Sequence, residues 1–245
     1  MKLIIIRHGD PDYEHDSLTE TGRLEAQCAA KRLAGHDITA FFVSPLGRAQ
    51  ETARYTLETM HRKARTLPWL REFEAPILHP DTGDVRVPWD WLPGVWTTEP
   101  AFYDRERWAE TAVMREYGVG KEAERVYAGL DSLLAEYGYH REGGFYRVER
   151  PDHARCETLV LFCHFGVECV MLSHLIGCSP MVLWHGLCAA PTSFTVLTSE
   201  ERRKGIASFR INTFGDTGHL YAEGYEPSFS ARFCESYDNA EERHD

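Results

Sequence analysis

Two histidines, two arginines and two neighbouring glutamates are the residues of this sequence whose types and setting could do chemistry. Arg7 and His8 stand in Leu3-Ile4-Ile5-Ile6-Arg7-His8-Gly9-Asp10, directly after an apolar run. His164 stands in Leu161-Phe162-Cys163-His164-Phe165-Gly166, directly after another. Arg48 lies in Ser44-Pro45-Leu46-Gly47-Arg48, and the acid is Glu72 or Glu74 in Leu70-Arg71-Glu72-Phe73-Glu74. A guanidinium offers a planar fork of donors matched to phosphate or carboxylate. A neutral imidazole can attack phosphorus or carry a proton. Gathered in one crevice, this set suits phosphoryl transfer through a covalent phosphohistidine. One histidine attacks phosphorus, the arginines and the second histidine neutralise the equatorial oxygens, and the acid protonates the leaving oxygen. The cations come from the protein, so the scheme calls for neither a metal nor an organic cofactor.

Such a set has to be positioned by a sheet. Leu3 to Ile6, three of them β-branched, fit a strand buried on both faces. In open α/β sheets ligands sit at the carboxyl ends of the strands, and both histidines follow such ends. Leu18-Thr19-Glu20-Thr21-Gly22 predicts a helix running to about Leu33, capped by Thr19 or Thr21 and stopped by Gly35. Strands are expected at Ile38 to Val43 and near Ala64 to Leu67. Between them, Ser44 as cap and Pro45 in the first turn predict a helix with Arg48 near its start, where backbone N–H groups favour an anion. Alternation on extended backbone would put Glu72 and Glu74 on one face, which leaves both open as the acid.

From Pro76 to Gly120 prolines interrupt the pattern, and Trp89, Trp91, Trp96, Phe102, Tyr103 and Trp108 enrich it in aromatics. This segment is expected to form an inserted cap, with one helix from Phe102 to Glu116 and tryptophans that pack rather than touch substrate. A helix from Lys121 to Tyr137, a hairpin turning at Gly143-Gly144, a strand from Thr158 to Cys163 and a helix from Val167 to Leu175 follow. Ser193 to Leu197 and Ile206 to Ile211 close the sheet, and Glu235 to Asp245 forms a frayed, acidic tail.

The 245 residues are 43% hydrophobic and 27% charged, enough for one large α/β domain with a sizeable core. A net charge of -11 argues against a nucleic-acid partner. It does not exclude a phosphorylated substrate, because local arginine and histidine reverse the sign inside a cleft. Seven cysteines (Cys28, Cys156, Cys163, Cys169, Cys178, Cys188, Cys234), odd in number and without a Cys-x-x-Cys, read as reduced thiols of a cytoplasmic protein. The first apolar run is too short for a signal peptide, and no stretch reaches membrane-spanning length, so no membrane partner is expected. Association into a homo-oligomer is left open. His15, His36, His61, His79, His140, His153, His174, His185 and His244 show no ligand spacing, and His219 is a weaker candidate for a supporting role.

The ordered motifs resemble those of the histidine phosphatase superfamily, the phosphoglycerate-mutase-like proteins. They are Arg7-His8-Gly9, Leu18-Thr19-x-x-Gly22 with Ala26, Ser44-Pro45-Leu46-x-Arg48-Ala49-x-x-Thr52-Ala53, Leu70-x-Glu72 and His164. Pro191-Thr192-Ser193-Phe194 and Asp216-Thr217-Gly218-His219-Leu220 extend the likeness over nearly the whole chain. The resemblance implies a three-layer α/β/α fold with a mostly parallel six-stranded sheet and a variable cap after the acid. Carried over by motif, His8 would be the phosphorylated nucleophile. Arg7, Arg48 and His164 would hold the phosphate, and Glu72 would be the general acid or base.

Three departures from the family pattern stand out. Phe165 follows the second histidine where many members have a small residue, though its backbone N–H is still available to phosphate. Asp10, Asp12 and Glu14 occupy a region where many members carry an asparagine. The long segment that follows the acid in cofactor-dependent mutases is absent, which favours hydrolysis of a small phosphorylated metabolite. A phosphomutase of the same fold, a non-catalytic phosphate-ligand protein and a metal-dependent hydrolase are the competing readings.

Overall fold

The computed structural model describes residues 1–80, 82–149, 157–230 and 232–243; His153, Cys156 and His244 lie outside them. The alternation of Leu3-Ile4-Ile5-Ile6 sets the layers. Leu3 and Ile5 belong to one apolar cluster, Ile4 and Ile6 to another on the opposite face. This strand, β1 (Lys2–Arg7), is followed by α1 (Glu20–Ala34), β2 (Ala40–Val43), α2 (Gly47–Thr59) and β3 (Ala64–Thr66). Later come α3 (Val119–Ala135), the hairpin β4 (Tyr139–Glu142) and β5 (Phe145–Val148), β6 (Thr158–Cys163), α4 (Phe165–Ile176) and α5 (Pro180–Gly186). The chain closes with β7 (Phe194–Arg203), β8 (Ile206–Asp216) and α6 (Gly218–Ala222).

Among the described residues the main sheet has eight strands, ordered β3-β2-β6-β1-β7-β8-β5-β4. β3, β2, β6 and β1 are parallel, and the other four run antiparallel to their neighbours. The excess over the six expected strands is the hairpin turning at Gly143-Gly144, which pairs with β8 and lengthens the sheet. Helices α1 and α2 cover one face through Ala29, Leu33, Ala49 and Ala53. Helices α3 and α4 cover the other through Val126, Leu130, Val167 and Val170. In β6, Leu159, Val160, Leu161 and Phe162 are all at most 1% exposed, as a central strand between two helical layers requires. Burial of each such side chain stabilises the fold by about 1.5–3 kcal/mol.

Local structure departs from expectation where side chains compete with helix geometry. The expected helix from Phe102 to Glu116 is broken into 3-10 turns at Pro100–Tyr103 and Trp108–Glu110 and a short helix at Ala112–Glu116. The Asp104 carboxylate accepts the N–H groups of Glu106 and Arg107, which pulls the backbone out of the helical ladder. Helix α2 starts at Gly47, so Pro45 precedes it and Ser44 is not its cap; Asp16 Oδ2 accepts the Gly47 N–H instead, at 2.6 Å. Glu72 and Glu74 lie in coil rather than on a strand. Of the two caps considered for α1, Thr19 is the one that accepts, from Gly22 N.

Gly22 earns its place by contact rather than by turn geometry. A Cβ there would lie 2.2 Å from the Asp10 carbonyl oxygen, and one on Gly9 would lie 2.6 Å from the Gly22 oxygen. The loop after β1 therefore rests directly on the first turn of α1. Alanine gains at most ~1 kcal/mol over glycine in a helix, whereas overpacking costs about 1–3 kcal/mol, and here the clashing atom is backbone. Gly22→Ala is expected to be destabilising by about 1–2 kcal/mol in urea denaturation; a variant as stable as the wild type would refute the contact argument.

Candidate active site

Three neighbouring parallel strands end at one level, and each delivers a polar residue there. In the β-ladder Arg7 pairs with Cys163, and Phe162 pairs with Val43. The next residues are therefore His8 after β1, His164 after β6 and Ser44 after β2. His8 N donates to Cys163 O and Ser44 N to Phe162 O, which carries the ladder one residue past the strands.

His8 and His164 face each other, with ring centroids 5.1 Å apart. Nδ1 of His8 lies 2.7 Å from the Gly9 carbonyl oxygen, so it carries the hydrogen and leaves Nε2 as the basic nitrogen. Nε2 of His164 is bonded to Ser44 Oγ at 2.7 Å, while its Nδ1 is buried without a partner. Both rings are at most 1% exposed. Burial pushes the His8 pKa well below the ordinary value, and the Arg7 and Arg48 guanidinium groups add to the shift. His164 is depressed likewise, first by burial and then by His8 and the two arginines. Both imidazoles are therefore neutral bases in a cationic pocket.

The arginines are held from behind. Arg7 Nη1 donates to Ala189 O at 2.7 Å and to Ser230 O at 3.1 Å. Arg48 Nη1 donates to Asp16 Oδ1 at 2.7 Å. Asp16 sits in the left-handed region, with φ 45°, and its carboxylate spans the Arg48 side chain and the start of α2. Partial burial works against the charge on Asp16, but the Gly47 N–H and Arg48 outweigh it and lower its pKa. Nε of Arg7 and Nε of Arg48 are both buried without a partner.

The two candidate acids are separated by their surroundings. Glu74 is 61% exposed in its side chain and pairs with Arg71. Glu72 is folded in against the start of α4: its Oε1 accepts from Phe73 N at 2.7 Å and from Val167 N at 3.0 Å, and its Oε2 accepts from Gly166 N at 3.4 Å. Burial raises the Glu72 pKa, against the opposing pull of these N–H groups and of Arg48. A second buried carboxyl, Glu168 in the first turn of α4, is pushed up to about 7 by burial.

Arg7, His8, Arg48, Glu72, His164 and Phe165 are thus brought to one crevice at the carboxyl ends of the parallel strands, and Glu74 is not. Of the buried side-chain atoms without partners, Arg7 Nε, Arg48 Nε and His164 Nδ1 cluster there, a deficit that an anion would fill. Asp16 in a polar loop and Glu168 inside an apolar helix have no distinguishing signal in the sequence, which reads Ser44 as a cap and Trp89, which approaches Glu72 at Gly166, as a packing residue. Among the described residues no group of three or more His, Cys, Asp or Glu is placed to hold a metal ion. No described helix is long and apolar enough to cross a membrane. Cys28, Cys163, Cys169, Cys178, Cys188 and Cys234 are free thiols.

Behind His8 lies a support. Thr192, at a strained φ of 55°, donates its N–H to His8 O and bonds His219 Nε2 at 3.0 Å through its hydroxyl. Burial and then Arg32 push His219 down to about 4. An unfolded histidine takes up its proton near 6.5, so below that pH the unfolded chain binds a proton that folded His219 refuses. The stability this neutral residue contributes is present above pH ~6.5 and is lost on acidification toward pH ~4. The stability gap between wild type and His219→Gln, from urea midpoints, should narrow as pH falls from 7.5 to 4.5; a gap constant with pH would contradict a neutral buried ring.

Comparison with known proteins gives the family and the fold. The family model of the histidine phosphatase superfamily (branch 1) matches residues 3–140. A probable phosphatase of Schizosaccharomyces pombe is 27% identical over 237 residues, covering 91% of this chain and 97% of its own. A probable phosphoglycerate mutase of Yersinia enterocolitica is 24% identical over 230 residues, covering 90% and 95%. Among solved structures, phosphoserine phosphatase of Entamoeba histolytica superposes with a TM-score of 0.59 at 17% identity, over 89% of this chain and 98% of that one. Mycobacterial glucosyl-3-phosphoglycerate phosphatase gives 0.55 at 19% identity, over 87% and 98%. With the family model spanning more than half its length, the chain belongs to the histidine phosphatase superfamily, branch 1.

Proposed function

We propose that this protein hydrolyses a small phosphomonoester through a phosphohistidine at His8. The observation that carries the reading is the cluster of unpartnered buried nitrogens on Arg7, Arg48 and His164 beside the basic Nε2 of His8. The guanidinium groups of Arg7 and Arg48, His164 and the backbone N–H of Phe165 hold the three non-bridging oxygens. Gly166 N and Val167 N are already taken by Glu72, which leaves the first N–H of α4 for the phosphate. His8 Nε2 forms its bond to phosphorus as the ester P–O bond breaks. The electron pair of that bond goes to the leaving oxygen, which takes the Glu72 proton. Water, deprotonated by the Glu72 carboxylate, then displaces His8 and releases inorganic phosphate.

The segment from Pro76 to Gly120 serves as the cap over this crevice, within a single domain. Trp91, Phe102, Trp108 and Met114 anchor it in the core beside Phe73 and Trp184, while Trp89 packs edge-on to Phe165 at a centroid distance of 5.8 Å. Solved structures of the same fold include a phosphoserine phosphatase and a glucosyl-3-phosphoglycerate phosphatase, which supports a small phosphorylated metabolite as substrate. The mutase names carried by two relatives keep transfer to a second hydroxyl as the other reading, and release of inorganic phosphate separates the two.

Labelled p-nitrophenyl phosphate, quenched in base, should leave acid-labile phosphate on the peptide containing His8. His8→Ala should lose both the label and about a thousandfold or more in kcat/KM. A fully active His8→Ala would end this reading. Proton donation matters most for a poor leaving group. Glu72→Gln should therefore lose about a hundredfold on an alkyl phosphate but less than about tenfold on p-nitrophenyl phosphate, with Glu74→Gln close to wild type on both. Ester-selective loss in Glu74→Gln instead would move the acid by two residues.

A further inference from the structure

The indole Nε1 of Trp89 is buried and has no hydrogen-bond partner. Other buried indoles in the molecule find acceptors: Trp91 Nε1 donates to Pro88 O and Trp184 Nε1 to Gly166 O, at 3.1 and 3.0 Å. Burying an indole N–H without an acceptor is costly, so its setting needs a reason. Its polar neighbour is the Glu72 carboxyl. A Cβ built on Gly166 would lie 2.7 Å from Glu72 Oε1 and 2.9 Å from Trp89 Nε1. Both atoms thus border one point at the start of α4 and are separated by at most the sum of those distances, with no bond joining them. Only a glycine at position 166 permits that approach.

We propose that Trp89 is a positioning residue for Glu72: its indole N–H is held in reserve and donates to the Glu72 carboxylate that forms when the proton passes to the leaving oxygen. The inference rests on the reading of Glu72 as the general acid. While Glu72 is protonated, two backbone N–H groups occupy Oε1 and the indole stays unpaired. As the O–H bond breaks, negative charge spreads over both oxygens, and a small rotation of the carboxyl or the indole closes the gap. The bond is made as charge develops and not before, so it favours the transition state over the ground state. Edge packing on Phe165 holds the indole at that spot.

The other groups facing Glu72 do not duplicate this donor. Arg48 faces it from α2, Glu168 and Cys169 from α4, and Cys163 from the end of β6. Arg48 is tied to Asp16 and is assigned to the phosphate, an ionised Glu168 would repel the new charge, and the neutral thiols are weak donors, Cys163 Sγ being already directed at His164 O.

The test is kcat/KM against pH for wild type, Trp89→Phe and Gly166→Ala, each on ethyl phosphate and on p-nitrophenyl phosphate. Phenylalanine keeps an aromatic ring and removes the N–H, whereas Gly166→Ala keeps the indole and drives a methyl against both donor and carboxyl. Either variant should lose about tenfold on ethyl phosphate and less than about twofold on p-nitrophenyl phosphate. The alkaline limb of the ethyl phosphate profile should rise by about one pH unit, because the ionised acid has lost a donor. Equal losses on both esters, or a limb that stays in place in both variants, would overturn the proposal and leave Trp89 a packing residue. A wild type that releases phosphate from neither ester would overturn the phosphatase reading as well, and so distinguishes the two failures.

Discussion

Two guanidinium groups, one buried and one mostly so, beside two neutral histidines are the constraint around which this molecule is arranged. A buried charge is tolerated only when it is paired or hydrogen-bonded. Here each arginine is partnered on one nitrogen and left short on Nε. The neutral carbonyls of Ala189 and Ser230 orient Arg7 and leave its charge uncancelled, while the ionised Asp16 orients Arg48 through an ion pair. Burial first, and then the same positive field, keeps the imidazoles unprotonated. That is the form in which one can attack and the other can sit beside a phosphoryl group.

The carboxyls around that field are sorted by how water and N–H groups reach them. Asp16, in partial contact with solvent and with the start of α2, stays ionised. Glu72, enclosed by the first turn of α4, is biased toward holding its proton despite three N–H donors, and Glu168 behind it is biased the same way. Proton-holding carboxyls and ionised carboxylate are thus set apart by environment rather than by residue type.

Much of this was legible in the sequence. Strand β6 and the hairpin turn followed from apolar runs and paired glycines, because burial on two faces and a tight turn each leave a local mark. The level ends of β1 and β6 made His8 and His164 convergent. Other features left no such mark. Nothing in the polar loop after β1 singles out Asp16, whose role depends on a left-handed backbone and on the distant start of α2. The choice between Glu72 and Glu74 could not come from alternation, because the chain there is coil and a long-range contact with α4 decides it. The helix expected from Phe102 to Glu116 failed because one aspartate side chain competes for the backbone N–H groups that a helix needs.

The carbonyl of Ser230 accepts from Arg7 across 223 residues of sequence. A contact between positions so far apart closes late, since loop entropy must be overcome before any such pairing is rewarded. Arg7 and His8 leave the ribosome long before Ser230, one of the groups that aims that arginine. A nascent chain with β1 already made therefore lacks an oriented anion site, and reactivity toward phosphate esters arrives together with the completed fold.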